Sequence, residues 1–519
     1  MFRPMAVKKV VYANTKAGTL RGFESRDIYA FLGVPYGKAK RWQQAEPVEP
    51  WKGIRNAVQF GNRAFPSQHF TPWDSCGVPH ELYSYSEDCL NINIWSPTLD
   101  PEAKKPVLFW IHGGGYSTGS AMEMQAHDGE DLARFGDVVV VTVNHRLNIF
   151  GFFDLSDLGA PYENSGNCGI SDLELALRYV RENIATFGGD SDNVTIFGQS
   201  GGGGKVRALL QTPSADGLFH KAIIMSGAGF HHRGEANPES GERSREVREF
   251  LFEKFNTRDI HDLEALQPEE LLDAVQEYTS THSSAGLMFW KPVANHYYLG
   301  DEILHGMRDH ALKVPVMIGC TISEFPKMRV RDKYSYSEDE QLEIIRQAFP
   351  AQDTERLVQL FREAWPNKCV TDVIETGGML GRSTVMEFAD ERVKQNAAPT
   401  YVYLFAHEFP QDGGRGAWHC ADIPVVFHNS VYYPESFHNG LLDGLEDAMS
   451  MSWVNFARFG TPQNDYLKAE WPEWKDRCAT MVFDDDCYVK YDFDREMNAL
   501  RDSMQLTVIE QYQFTPQIN

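Results

Sequence analysis

A serine becomes a nucleophile where the chain holds its hydroxyl clear of its neighbours and within reach of a base. The segment Asn193-Val-Thr-Ile-Phe-Gly-Gln-Ser-Gly-Gly202 has the residue types for the first requirement. An apolar run leads into Gly198-Gln199-Ser200-Gly201-Gly202, and a helical pattern follows. That is the strand, tight turn and helix of a GxSxG nucleophile elbow. Glycines are needed two residues before and two after the serine, because side chains there collide as strand and helix close on each other. Four consecutive glycines, Gly201 to Gly204, open the helix. Each costs roughly 1 kcal/mol against Ala in a helix interior, so they point to close backbone approach. A phosphate-binding GxxxxGK[ST] loop is the competing reading. It needs Gly at 199 and Ser or Thr at 206, where the chain has Gln199 and Val206.

Upstream, the apolar run Phe109-Trp-Ile111 ends in His112-Gly113-Gly114-Gly115. A glycine loop at a strand end can aim backbone N–H groups at an oxyanion, and here it precedes the serine as the hydrolase plan requires. With 17 histidines, the base is chosen by position. The order serine, acid, histidine favours His419, on the loop Gly416-Ala-Trp-His-Cys-Ala-Asp422, with His407 and His428 as rivals. The acid should follow a late strand. Glu324 does so after Val314-Pro-Val-Met-Ile-Gly319, and Asp422 is the local rival. His80-Glu81 and His407-Glu408 begin an HExxH zinc motif, but Ser84 and Gln411 stand where its second histidine would be. No CxxC pair and no partnered GxGxxG occurs, so neither a metal nor an organic cofactor is expected.

Positioning these residues takes alternating strands and helices. Strand-like runs are Val107–Ile111, Val138–Val143, Val194–Phe197, Ala222–Met225, Val314–Ile318 and Tyr401–Phe405. Asp172–Phe187 is a helical pattern, with Leu173, Ala176, Leu177, Val180 and Ile184 on one face. The alternation predicts an α/β fold with a large, mostly parallel sheet. One domain over residues 1–519 is expected, with charged, helical, cap-like insertions at about 233–300 and 334–390.

The chain has 519 residues, with 49 basic and 73 acidic side chains, a net charge of −24. That balance opposes binding to nucleic acid or to an anionic membrane, both of which need a basic surface. The N-terminal stretch has no apolar core of a signal peptide, and no run is long enough to span a membrane. A cytoplasmic protein with reduced thiols is expected. Monomer and dimer stay open.

These pieces together resemble the type-B carboxylesterase family, which includes cholinesterases and bacterial p-nitrobenzyl esterases. Phe187 to Gly202 is similar to the family's serine signature, and Ser86-Glu-Asp-Cys-Leu-Asn-Ile-Asn93 to its second signature. Phe31-Leu-Gly-Val-Pro-Tyr36, Asn144-His-Arg-Leu147, Gly166–Asp172, Gly217–Gly227 and Trp453–Gly460 match in order. The resemblance implies an α/β-hydrolase fold and hydrolysis of a small-molecule carboxylic ester. It implies Ser200 as nucleophile, Glu324 as acid, His419 as base, and Gly114, Gly115 and Gly201 as oxyanion donors. It further implies ion pairs Arg41–Glu87 and Arg146–Asp172, and Ser226 behind the triad. The family often has Glu before and Ala after the serine. Gln199 removes a charge there, and Gly201 implies a looser turn. Cys89, bridged in secreted members, has only Cys76 nearby. Phe70, Trp73, Phe230 and Phe289 are candidate walls of a substrate gorge. Hydrolysis of amides or carbamates with the same groups is the alternative reading, and a non-catalytic binding relative is a further one.

Overall fold

Short runs of β-branched and aromatic residues, apolar at nearly every position, are suited to strands covered on both faces. The computed structural model describes residues 7–66, 83–229, 240–282, 289–350, 353–378, 380–434, 437–475 and 477–513. They fall into two compact units. The first holds the described residues up to 311 apart from 224–229, and the second holds 224–229 and those from 312 onward.

In the first unit, strands β1 (Val7–Asn14), β2 (Thr19–Ser25), β3 (Ile28–Pro35), β4 (Asn91–Ser96), β5 (Lys105–Ile111), β6 (Val139–Val143), β7 (Gly189–Gln199) and β8 (Lys221–Met225) lie in the order β1-β2-β3-β4-β6-β5-β7-β8. From β1 to β6 the neighbours run antiparallel. The pairs β6–β5 and β5–β7 are parallel. Every residue of β6, and all but the first of β5, is buried. By contrast β2 alternates between buried and half-buried positions, as an antiparallel strand with one covered face does. The front of this unit is therefore antiparallel, and the parallel order begins where the apolar runs do.

The sequence places the serine at the end of β7. Between β6 and β7, helix α1 (Cys168–Asn183) buries Leu173, Ala176, Leu177 and Val180. Helix α2 (Gly201–Leu210) follows the serine directly, and all ten of its residues are buried. The stretch after β8 holds helices α3 (Ser240–Lys254) and α4 (Pro268–His282). Arg41 ties this stretch to the start of the chain, donating to the carbonyls of Leu263, Glu264 and Leu266 at 2.9–3.1 Å.

In the second unit, β9 (Val316–Thr321) and β10 (Thr400–Phe405) are parallel, as are β10 and β11 (Ala479–Phe483). Strand β12 (Tyr488–Tyr491) closes this edge antiparallel. The last two residues of β8 belong here, and the N–H of Ser226 just after them donates to the Gly319 carbonyl at 2.8 Å. Helices α5 (Glu338–Ala348), α6 (Thr354–Ala364) and α7 (Arg382–Lys394) fill the span between β9 and β10. A capping box of Ser337 and Glu340 starts α5, and the Asp353 side chain caps α6. Helix α7 packs on β9 and β10. Among the described residues, no helix is long and apolar enough to cross a membrane.

Candidate active site

Strand β7 delivers Ser200 into a conformation that L-residues rarely adopt, with φ +57° and ψ −125°. A non-glycine residue there carries strain of order ~1–3 kcal/mol, held only where surrounding packing enforces it. The packing is visible at the flanking glycines. A Cβ on Gly198 would stand 2.6 Å from the Gly202 carbonyl carbon and 2.7 Å from the Ile111 oxygen. A Cβ on Gly201 would stand 2.2 Å from the Gly115 oxygen. The expectation of a looser turn at Gly201 is thereby corrected. The missing methyl group admits the Gly115 backbone, and the contact is closer than alanine allows.

The glycine loop meets this turn within the same unit. Gly114 and Gly115 have φ +81° and +62°, values that favour glycine. The Gly114 carbonyl accepts from the N–H groups of Ser117 and Thr118 at 3.2 and 3.1 Å, which turns the loop back on itself. The Ser200 carbonyl accepts from the Gly204 N–H at 3.0 Å, closing the first turn of α2. Among the described residues, no group accepts from the N–H of Gly114, Gly115 or Gly201. Three donors, two from the loop and one from the helix N-terminus, are thus brought together beside the serine's turn. Such donors suit a negative charge.

Glu324 and His419 are brought together in the second unit, although 95 positions separate them. The backbone explains how. Past the end of β9, Ser323 donates its N–H to the Ala417 carbonyl at 3.0 Å, and Ser323 and Trp418 form an isolated parallel bridge. The next residues are Glu324 and His419. The Glu324 Oε2 is hydrogen-bonded to His419 Nδ1. Its Oε1 accepts from the Thr321 N–H at 2.8 Å, which fixes the carboxylate. The bond at Nδ1 fixes the tautomer, with the proton on Nδ1 and the basic lone pair on Nε2. Phe325 lies over the imidazole at 4.1 Å between ring centroids while 53% exposed. It was missed in the sequence, where its only signal is adjacency to Glu324.

The rivals are engaged elsewhere. Asp422 is fully buried, and its Oδ2 accepts from the Tyr403 hydroxyl at 3.0 Å. Burial, then the Glu324 charge, pushes its carboxyl up to about 7. His428 pairs with Asp447 at 2.9 Å. His407 is fully buried with Asp485 at 3.1 Å, and its Nε2 contacts Asn439 at 3.3 Å. His407, Asp484 and Asp485 are the described residues whose ligand atoms cluster closely enough for a metal, within 4.8 Å. Lys368 already neutralises Asp484 there at 3.0 Å.

The implied ion pairs are present. Arg41 holds Glu87 through two bonds of 2.9 and 2.7 Å, and Arg146 holds the buried Asp172 through 2.8 and 2.7 Å. Ser226 is fully buried at φ +48°, and its hydroxyl has no hydrogen-bond partner among the described residues. The seven described cysteines, Cys89 among them, form no disulfide with one another. Cys76 lies outside the described residues, as do Phe70, Trp73 and Phe230. Phe289 is a packed core residue, edge-on to Trp290 at 5.0 Å and under the Arg243 guanidinium at 4.9 Å.

A buried parallel run of strands delivering a strained serine to a helix N-terminus is the architecture of the α/β-hydrolases. Residues 8–493 match the Carboxylesterase family, and the chain belongs to that family. It is 29% identical over 493 residues to a para-nitrobenzyl esterase of Bacillus subtilis, covering 93% of this chain and 96% of the relative. It is 31% identical to a phenmedipham hydrolase of Pseudarthrobacter oxydans, covering 91% and 95%. Among solved structures, an esterase of Clostridium hathewayi superposes with a TM-score of 0.90 at 40% identity, covering 96% of this chain and 99% of that one. That esterase can hydrolyse aliphatic aromatic polyesters. The α/β-hydrolase fold and the class of carboxylic ester hydrolase follow from these likenesses.

Proposed function

We propose that the protein is a serine carboxylesterase working through an acyl-enzyme, with Ser200 as nucleophile, His419 as general base and acid, and Glu324 as the orienting acid. The observation that carries the reading is the elbow at Ser200, strained and flanked by three N–H donors with no acceptor. In this reading His419 Nε2 takes the hydroxyl proton as Ser200 attacks the ester carbonyl. The oxyanion forms against the N–H groups of Gly114, Gly115 and Gly201. Glu324 holds the imidazole in the tautomer that puts the basic lone pair on Nε2 and then stabilises its charged form. The imidazolium gives its proton to the leaving alcohol, and water repeats the sequence to release the acid. In this reading Ser226 lies behind the triad, as in the family. The steps use only groups of this chain.

Two substrate arms follow. Monomeric esters are the first. The 40% identity to the Clostridium hathewayi esterase adds polyesters with aliphatic and aromatic units as the second. The test runs a p-nitrophenyl acyl series beside the matching anilides, with a fluorophosphonate probe as the label. Turnover of the esters far above the anilides, with labelling abolished in Ser200→Ala, is expected. Anilide rates equal to ester rates would move the reading to an amidase. An unlabelled wild type would point to a binding protein.

A further inference from the structure

The helix that begins at the nucleophile also carries a lysine that the reaction so far leaves unused. Lys205 is fully buried. The glycines of the first turn of α2 bring it against the end of β5. A Cβ on Gly202 would stand 2.0 Å from the Ile111 carbonyl oxygen and 2.9 Å from that of His112. Across this narrow gap Lys205 Nζ donates to the His112 carbonyl at 3.1 Å. It also lies 5.8 Å from the centre of the Tyr116 ring. The strand ends at Ile111, so the His112 carbonyl lies beyond the ladder. His112 is the residue before Gly113-Gly114-Gly115. One amine therefore joins the root of the glycine loop to the helix whose first N–H belongs to Gly201.

The surroundings leave that amine short of counter-charge. The His112 and His145 rings lie 4.8 Å apart, and burial first, then Lys205, holds both well below the usual imidazole range. Glu123 is the carboxylate whose charge acts on Lys205, against the larger effect of burial. On α1, which packs on the same helix, Asp172 and Glu174 are taken by Arg146 and Arg178. Arg207, further along α2, is taken by Asp301 and Glu302. Burial lowers the Lys205 ammonium from its usual 10.5 to about 7. A cation that is poorly compensated at rest gains most when negative charge appears nearby. That gain counts for rate, because it is larger in the transition state than in the ground state.

We propose that Lys205 is a positioning residue of the oxyanion loop: its ammonium holds the His112 carbonyl, fixes the aim of the Gly114 and Gly115 N–H groups, and adds a buried positive charge behind them. This rests on the reading that those N–H groups receive the oxyanion of an ester attacked by Ser200.

The experiment is the pH profile, from 6 to 9, of p-nitrophenyl ester hydrolysis by wild type, Lys205→Met and Lys205→Gln. The wild type should show kcat falling as the ammonium is lost, with the midpoint near 7. Lys205→Met should lower kcat about 10- to 100-fold at pH 6.5, with KM changed less than about threefold, as for a group acting only in the transition state. Its profile should lack the falling limb. Lys205→Gln, which keeps a donor and loses the charge, should also lack the limb. A limb that persists in either variant belongs to another group and overturns the proposal. So does a Lys205→Met enzyme with wild-type kcat. Should a variant fail to fold, the rate of fluorophosphonate labelling of the wild type across the same pH range decides instead, a flat profile above 7 refuting it. Labelling also separates the two readings. Ser200 left unlabelled sinks the serine mechanism itself, whereas Ser200 labelled with a flat profile sinks only the role of Lys205.

Discussion

The nucleophile elbow and the acid–base pair are built by opposite means. The first is made of backbone. Ser200, Gly201, Gly114 and Gly115 come from two short segments of the first unit, and their geometry depends on the absence of side chains. The second is made of side chains. Glu324 and His419 lie far apart in sequence, and a strand-end strap through Ser323, Ala417 and Trp418 sets them side by side. A backbone-built half has no slack, since a single added methyl group collides with main-chain atoms. A side-chain-built half is limited instead by chemistry, since its hydrogen bond needs one charge state and one tautomer. Substitutions should therefore fail for different reasons in the two halves.

The largest effect should come from the proposed nucleophile. Ser200→Ala should lower kcat by about 10⁴- to 10⁶-fold with folding intact, because the members of such a triad act as a unit. Glu324→Gln comes next. It keeps the shape but lets the amide enforce the wrong tautomer, and a loss of about 10⁴ in kcat is expected. A thermal melt near wild type alongside that loss would confirm that chemistry, not packing, limits this half. Gly201→Ala probes the other half. Its Cβ falls 2.2 Å from the Gly115 oxygen, so the loop must move off its aim. Displacing one oxyanion donor costs up to roughly 2.7–4 kcal/mol, or about 10²- to 10³-fold in kcat. Unchanged kcat in Gly201→Ala would show that the loop has slack and dissolve the contrast. Asp422→Asn should do least, changing kcat by less than about fivefold, since the Tyr403 hydroxyl and not His419 is its partner. A triad-sized loss there would hand the acid's role to Asp422.

Stability should report the buried lysine with a definite sign. Native Lys205 releases its proton near 7, whereas the unfolded chain keeps it until about 10.5. Between those values the unfolded state binds more protons, so this group makes the protein more stable as pH rises. The Tm of the wild type, measured against that of Lys205→Met, should climb from pH 7 to 9.5. A constant difference would mean that the charge is not held as described.

The contrast also decides what was legible in the sequence. The nucleophile half is local, so GxSxG and His112-Gly-Gly-Gly115 announced both its parts. The acid–base half carries no local signature. Chain order and the family resemblance singled out Glu324 and His419, while residue types alone left His407, His428 and Asp422 in contention. Their exclusion needed the contacts to Asp485, Asp447 and Tyr403. The doubly buried strands Lys105–Ile111 and Val139–Val143 were legible as apolar runs. The antiparallel front was not, because half-exposed strands such as Thr19–Ser25 carry Thr, Arg and Glu among their apolar residues. Lys205 reads as a surface residue in any composition-based scan, and only the glycine-permitted approach of helix to strand buries it.

The central claim is that the Glu324–His419 pair activates Ser200. It is tested most directly by quenching the enzyme after milliseconds with p-nitrophenyl acetate and mapping the acetyl group by peptide mass spectrometry. Acetyl on Ser200 in the wild type, formed far more slowly in His419→Ala, is the result expected here. Acetyl on another residue, or on Ser200 at an undiminished rate without His419, would contradict it.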